Sequence, residues 1–192
     1  MSADQLDSNI TLTTMAPGRD REFAEMLEEF RAAGELDVYS GTFAVAWEGY
    51  GSFHALLSRM KADGFPTPEF VPMDSYFIEA NGRILGEIYI RHRLTPHLEN
   101  IGGHIGYKVR PSCRNRGVAT TALRLAIKRL AEIGVERALV TCNATNAASV
   151  RVIEKCGGDR IEDAIVETRV ERRYWIALDR ESQVSYGPAP SE

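Results

Sequence analysis

Apolar residues recur along this chain first at a helical spacing and then at a strand spacing. Within residues 19–33, Phe23, Met26, Leu27 and Phe30 fall at i, i+3, i+4 and i+7. That is one stripe of an amphipathic helix, and Gly34 supplies its stop. Residues 50–62 repeat the spacing with Phe53, Leu56, Leu57 and Met60. Ahead of both, residues 10–14 alternate weakly and read as a first strand. Gly64 with Pro66, Pro68 and Pro72 then breaks the chain.

From there the period changes to two. Residues 75–80 and 83–92 flank Asn81-Gly82, the strongest short signal for a two-residue hairpin turn. A polar loop over 94–100 leads to "GGHIGYKV", a strand over 102–109. A helix follows to about Ile133, with Ala119, Ala122, Leu123, Ala126, Leu130 and Ile133 on its apolar side. "ERALVTC" reads as a buried strand, 145–155 as a third helix capped by Gly157-Gly158, and "TRVERRYWIAL" as a last strand. Helices alternating with strands around one hairpin predict an α/β domain, a mixed sheet with helices on its faces.

The 192 residues suit one domain over 1–180, and 181–192, with two prolines and no period, read as a disordered tail. The net charge of −4 argues against a nucleic-acid partner, which calls for a basic excess. No run of apolar residues is long enough for a membrane span, and the acidic first residues lack a signal-peptide core, so the cytosol is the expected compartment. Cys113, Cys142 and Cys156 form no CxxC pair and read as reduced thiols; the four histidines fit no zinc spacing, so no metal is expected.

One stretch conflicts with its own helix. Arg114 and Arg116 stand before the first turn, where the helix dipole already presents positive charge and cations are unfavourable. An anion at the helix start would reverse that: the first N–H groups lack internal partners, and Gly117 admits a phosphate to the main chain. The bland alternative is two solvated loop arginines. The P-loop and the dinucleotide-binding GxGxxG patterns are both absent.

Arg114-Asn115-Arg116-Gly117-Val118-Ala119 resembles the [QR]xxGx[GA] pyrophosphate loop of the GNAT superfamily of acetyl-CoA-dependent N-acetyltransferases. Val109-Arg110-Pro111 resembles that family's exit from its fourth strand. "NAASVRVIEKCGG" resembles its second signature, an asparagine leading a helix that closes with glutamate, lysine and glycine. The resemblance implies a mostly antiparallel sheet whose central strands splay apart to hold acetyl-CoA as cosubstrate. It implies that main-chain groups of Tyr107, Lys108 and Val109 pair with the pantetheine, that the 114–119 loop holds the diphosphate, and that Asn143, Asn146 and Ser149 face the CoA arm, the alternative for Asn143 and Asn146 being helix N-caps. The dense glycines Gly102, Gly103 and Gly106 weaken a strand and suit close approach of a ligand.

The implied reaction moves an acetyl group to a primary amine in a ternary complex. The acceptor is a small molecule or a peptide amine. An alkylamine of pKa near 10.4 is only about one part in 10³ unprotonated at pH 7, roughly 4–5 kcal/mol to be supplied, so a base or water relay is required. Two features depart from the family. Its usual base position falls at Gly103, leaving His104 and Glu99 as candidates. Its usual thiolate-protonating tyrosine falls at Ile153, with Tyr107 or Tyr174 as a substitute or the thiolate leaving unassisted. Arg91 and His92 are candidates for the acceptor pocket, their alternative being a solvated or paired strand face. Dimers are common in that superfamily, and a homodimer is an arrangement the resemblance allows. A non-catalytic acyl-CoA sensor that keeps the cofactor site is the competing reading.

Overall fold

The computed structural model describes residues 9–61 and 71–178. Strands β1 (Thr11–Thr14), β2 (Met73–Ala80), β3 (Arg83–Arg91) and β4 (Ile105–Val109) form an antiparallel sheet in that order. Strands β5 (Arg137–Asn143), β6 (Asp159–Val166) and β7 (Arg169–Ala177) form a second antiparallel sheet ordered β5-β7-β6. The long helices are α1 (Asp20–Ala32), α2 (Tyr50–Lys61), α4 (Val118–Glu132) and α5 (Ala147–Lys155); α3 (Pro96–Asn100) is a short turn between β3 and β4. None of these helices is long and apolar enough to cross a membrane.

Alternation along the strands divides the core in two. On one side Ile78, Leu85, Ile88 and Ile90 pack with Leu123, Ala126 and Leu130 of α4 and Ile153 of α5. On the other, Phe77, Ile84 and Tyr89 meet Phe23, Met26, Phe30 and Phe53 of α1 and α2. The stripe read at 23, 26, 27 and 30 is the buried face of α1; each such side chain contributes roughly 1.5–3 kcal/mol on burial. Asn81 (φ 52°) and Gly82 (φ 74°) both take positive φ, as the β2–β3 turn requires.

Four features differ from the sequence expectation. The loop expected at 94–100 contains α3, because Pro96 begins a helical turn and the Thr95 hydroxyl caps the Leu98 N–H at 3.2 Å. The strand expected from 102 starts at Ile105, since Gly102 (φ 101°) and Gly103 (φ 57°) leave the extended region. Strand β6 has no counterpart in the sequence pattern: it is an edge strand, and Glu162-Asp163 interrupts its alternation where the ladder shifts register between Ile161 and Ala164. Ile133, expected in the core, follows the end of α4 and is 47% exposed. The expected tail lies outside the described residues, as do the breaks at Gly64, Pro66 and Pro68.

Candidate functional site

The loop that leaves β4 is folded to present main-chain N–H groups. Pro111 opens a 3₁₀ turn (Pro111–Cys113), and the buried Cys113 anchors it. Asn115 (φ 58°) and Gly117 (φ 77°) then adopt left-handed conformations. Such turns of the main chain gather N–H groups into an anion-binding concavity. Gly117 is the N-cap of α4, and no side chain caps that helix end. It opens on a cleft of about 770 Å³ whose walls include Tyr107, Val109, Arg114, Asn146, Ser149 and Lys155.

The two arginines ahead of the helix have separate circumstances. Arg114 donates from Nη1 and Nη2 to the Glu35 carboxylate at 2.5 and 2.6 Å, and from Nε to the Val109 carbonyl at 3.0 Å. The hydrogen bond with Arg114 holds Glu35 below the usual carboxylate range. Arg116 is exposed and has no side-chain partner among the described residues.

Beside this loop, β4 and β5 part. At their junction the His104 N–H donates to the Leu139 carbonyl at 2.7 Å, and the Leu139 N–H donates to His104 Nδ1 at 2.9 Å. Gly102 N–H reaches Thr141 Oγ1 at 2.9 Å. Arg91 Nη1 holds the carbonyls of Gly102 and Gly103 at 3.0 and 3.1 Å. A Cβ on Gly103 would lie 2.4 Å from the Leu139 carbonyl oxygen, so only glycine permits this approach. No strand ladder joins β4 to β5 among the described residues. The Arg110 N–H donates back to Leu85 of β3, so alternation turns the main-chain groups of Tyr107 and Val109 to the open edge.

The side chains of β4 divide between the faces. Tyr107 points to the α4–α5 side, where its hydroxyl is buried beside Ser149 without a hydrogen-bond partner among the described residues; burial pushes the phenol up to about 12. Lys108 borders the cleft, but its main-chain groups face Glu87 of β3 rather than the open edge, against the expectation that they pair with a ligand, and its side chain crosses to the other face. There its Nζ sits 4.0 Å from the Tyr39 ring centroid and 3.5 Å from the fully buried Glu87 carboxylate. Glu87 also accepts from Tyr39 at 2.6 Å and from the Tyr89 hydroxyl. Burial lowers the Lys108 pKa, partly countered by Glu87, and raises both phenols well above their ordinary values.

The sequence matches the acetyltransferase (GNAT) domain family over residues 19–159. The chain belongs to the GNAT family. Its fold is similar to that of the microcin C7 self-immunity acetyltransferase MccE, solved in complex with acetyl-CoA and AMP, at 16% identity and TM-score 0.64, over 88% of this chain and 93% of that one. RimL, a ribosomal L7/L12 α-N-protein acetyltransferase solved in complex with coenzyme A, aligns at 14% identity and TM-score 0.65 over 91% and 97% of the two chains. A putative GNAT-family acetyltransferase from Bordetella pertussis aligns at 16% identity and TM-score 0.61 over 88% and 96%. No curated protein sequence matches the chain.

Within this GNAT fold the structure separates the residues expected to act together. Tyr107, Lys108, Val109, Arg114, Asn115, Gly117, Val118, Ala119, Asn146 and Ser149 all line the cleft. Arg116 stands exposed in the same loop. Asn143 lies apart and uses Oδ1 to accept from the Thr145 N–H and hydroxyl. Asn146 Oδ1 is the N-cap of α5, accepting from the Ser149 N–H at 3.0 Å. His104 is buried at the strand junction, and burial, with the nearby Arg91 charge, lowers its pKa to about 4. Glu99 is exposed on α3, where its N–H donates to the Thr95 carbonyl at 2.9 Å and its carbonyl accepts from Arg173 at 3.3 Å. Arg91 braces the Gly102–Gly103 turn, and His92 Nε2 pairs with Asp74 at 2.9 Å. Ile153 is fully buried in the core, so no hydroxyl stands at that point of α5.

Sequence reasoning missed Glu35 and Val38 on the cleft wall, and Lys155 on its far side. Ser149, Val152 and Lys155 recur every third residue of α5, a legible signal for a shared face. Nothing local marks Glu35, which reaches the loop from 79 residues away in the chain. Among the described residues, no group of three or more His, Cys, Asp or Glu side chains is placed to hold a metal ion.

Proposed function

We propose that this protein is an N-acetyltransferase that takes acetyl-CoA as donor and passes the acetyl group directly to a primary amine. The observation that carries the reading is one cleft bounded by the open edge of β4 and the uncapped N-terminus of α4. The diphosphate would sit on the N–H groups from Asn115 to Ala119, with Arg116 as its charged partner. The pantetheine would extend β4 along Tyr107 and Val109, as an added strand does. That MccE and RimL were solved with acetyl-CoA or coenzyme A supports the donor assignment.

The chemistry needs a proton acceptor and a stabiliser for the leaving thiolate. His104 is neutral at pH 7 with Nδ1 already accepting from Leu139, which leaves its proton on Nε2. That side chain is a donor, so proton removal from the amine falls to a water relay rather than to His104 or the solvent-facing Glu99. The Tyr107 hydroxyl, buried beside Ser149 and protonated at neutral pH, is a donor for the departing thiolate. The acceptor is a small amine, or a peptide amine of the kind RimL's description implies for that protein.

The same facts favour a second reading, a sensor that binds acyl-CoA without turnover, because Gly103 admits no side chain and His104 is committed to Leu139. One assay separates the two. The protein is mixed with acetyl-CoA and a panel of small amines and N-terminal peptides, and free thiol is followed. Acceptor-dependent thiol release establishes the transferase; CoA binding with no release on any acceptor establishes the sensor. Absence of CoA binding removes both.

A further inference from the structure

We infer that Glu35 is a built-in competitor for the donor's diphosphate, occupying the Arg114 guanidinium that the incoming anion must share. The inference rests on the donor-cleft reading above. Arg114 and Glu35 both line the cleft, and they meet fork to fork, Nη1 and Nη2 at 2.5 and 2.6 Å from the two carboxylate oxygens. A bidentate pair of this kind is the arrangement a phosphate would also take on the same guanidinium.

The two partners are not equally free to move. Arg114 is fixed from behind, its Nε bonded to the Val109 carbonyl at the strand end. Glu35 sits on the irregular stretch between Gly34 (φ 72°) and a 3₁₀ turn (Leu36–Val38), and its carboxylate makes no other hydrogen bond among the described residues. Donor binding therefore displaces Glu35 rather than Arg114. While Glu35 is in place it cancels one of the two positive charges ahead of α4, leaving Arg116 and the helix end to attract the anion. Both side chains are about a third exposed, at 38% and 35%, so solvent and salt screen the pair. Removing an exposed pair of this kind changes an equilibrium by a factor of about two to five.

The test titrates CoA into the wild-type protein, Glu35→Gln and Glu28→Gln by calorimetry at low salt, with each variant's fold checked by circular dichroism. Glu28→Gln removes the same charge from the α1 surface, where Glu28 pairs with Arg31. Glu35→Gln should bind CoA about two- to fivefold tighter and lose part of that gain as salt is raised, whereas Glu28→Gln should match wild type. Glu35→Ala, which keeps no hydrogen-bonding end, should move with Glu35→Gln. Equal or weaker binding by both Glu35 variants overturns the inference while leaving the donor cleft intact. An equal gain in Glu28→Gln also overturns it, because the effect would then be long-range charge. A wild-type protein that binds no CoA overturns the donor cleft itself and this inference with it.

Discussion

His104 and Leu139 exchange two hydrogen bonds, one between main chains at 2.7 Å and one from the Leu139 N–H to Nδ1 at 2.9 Å, and this double tie is where the two sheets meet. The imidazole must be neutral to accept, and its pKa falls from 6.5 to about 4. The unfolded chain therefore binds a proton between those values that the folded chain refuses. Stability is full above pH 6.5 and is lost as pH falls toward 4, by up to about 3 kcal/mol. Denaturant unfolding across that range should show the slope, and His104→Asn, whose Oδ1 can still accept from Leu139, should flatten it.

Gly103 allows the same junction to close. A methyl group there meets the Leu139 carbonyl oxygen at 2.4 Å and also forces an L-residue to φ 57°. Gly103→Ala should lower the unfolding free energy by about 2–4 kcal/mol, read as a drop in the thermal midpoint. Gly106→Ala is the comparison: its nearest neighbour is the Arg91 guanidinium at 3.7 Å, an ordinary van der Waals distance, and the midpoint should move much less.

Arg116 and Arg114 should part company on mutation. Arg116 has no side-chain partner among the described residues, so Arg116→Ala should leave the melting temperature unchanged and weaken CoA binding about tenfold or more, the worth of a hydrogen bond to a charged group. Arg114→Ala should lower the melting temperature as well, because it leaves the Val109 carbonyl and Glu35 without their partner. Calorimetry with CoA and a thermal melt on each variant make the comparison.

Tyr107→Phe gives a prediction with opposite signs in two measurements. Its buried hydroxyl has no hydrogen-bond partner among the described residues, so removal should leave stability unchanged or raise it by about 1 kcal/mol. With the thiolate's donor gone, kcat should fall at least tenfold while CoA affinity holds. A stability loss with unchanged kcat would assign the hydroxyl to the fold instead.

The elements legible in the sequence are those whose signal is local. The stripe from Phe23 to Phe30 and the Asn81-Gly82 turn depend on neighbours within a few residues, and each lies where its pattern put it. The 114–119 loop was legible for the same reason: a glycine at a helix start among arginines conflicts with the helix dipole whatever the rest of the chain does. Strand β6 was not, because an edge strand buries little and tolerates the adjacent charges of Glu162 and Asp163.

What each candidate side chain does was decided by partners far away in the chain. The sequence by itself determined that two arginines and Gly117 lead a helix, that Gly102 and Gly103 stand before a strand, and that His104 is beside them. Only the tertiary structure decided that Glu35 takes Arg114 and not Arg116, and that Leu139 claims His104. It alone sent the Lys108 side chain away from the cleft to Glu87. Spacing along a helix or strand fixes which face a residue occupies; which partner waits on that face depends on how distant segments pack, and hydrogen bonds and charges act only across those few ångströms.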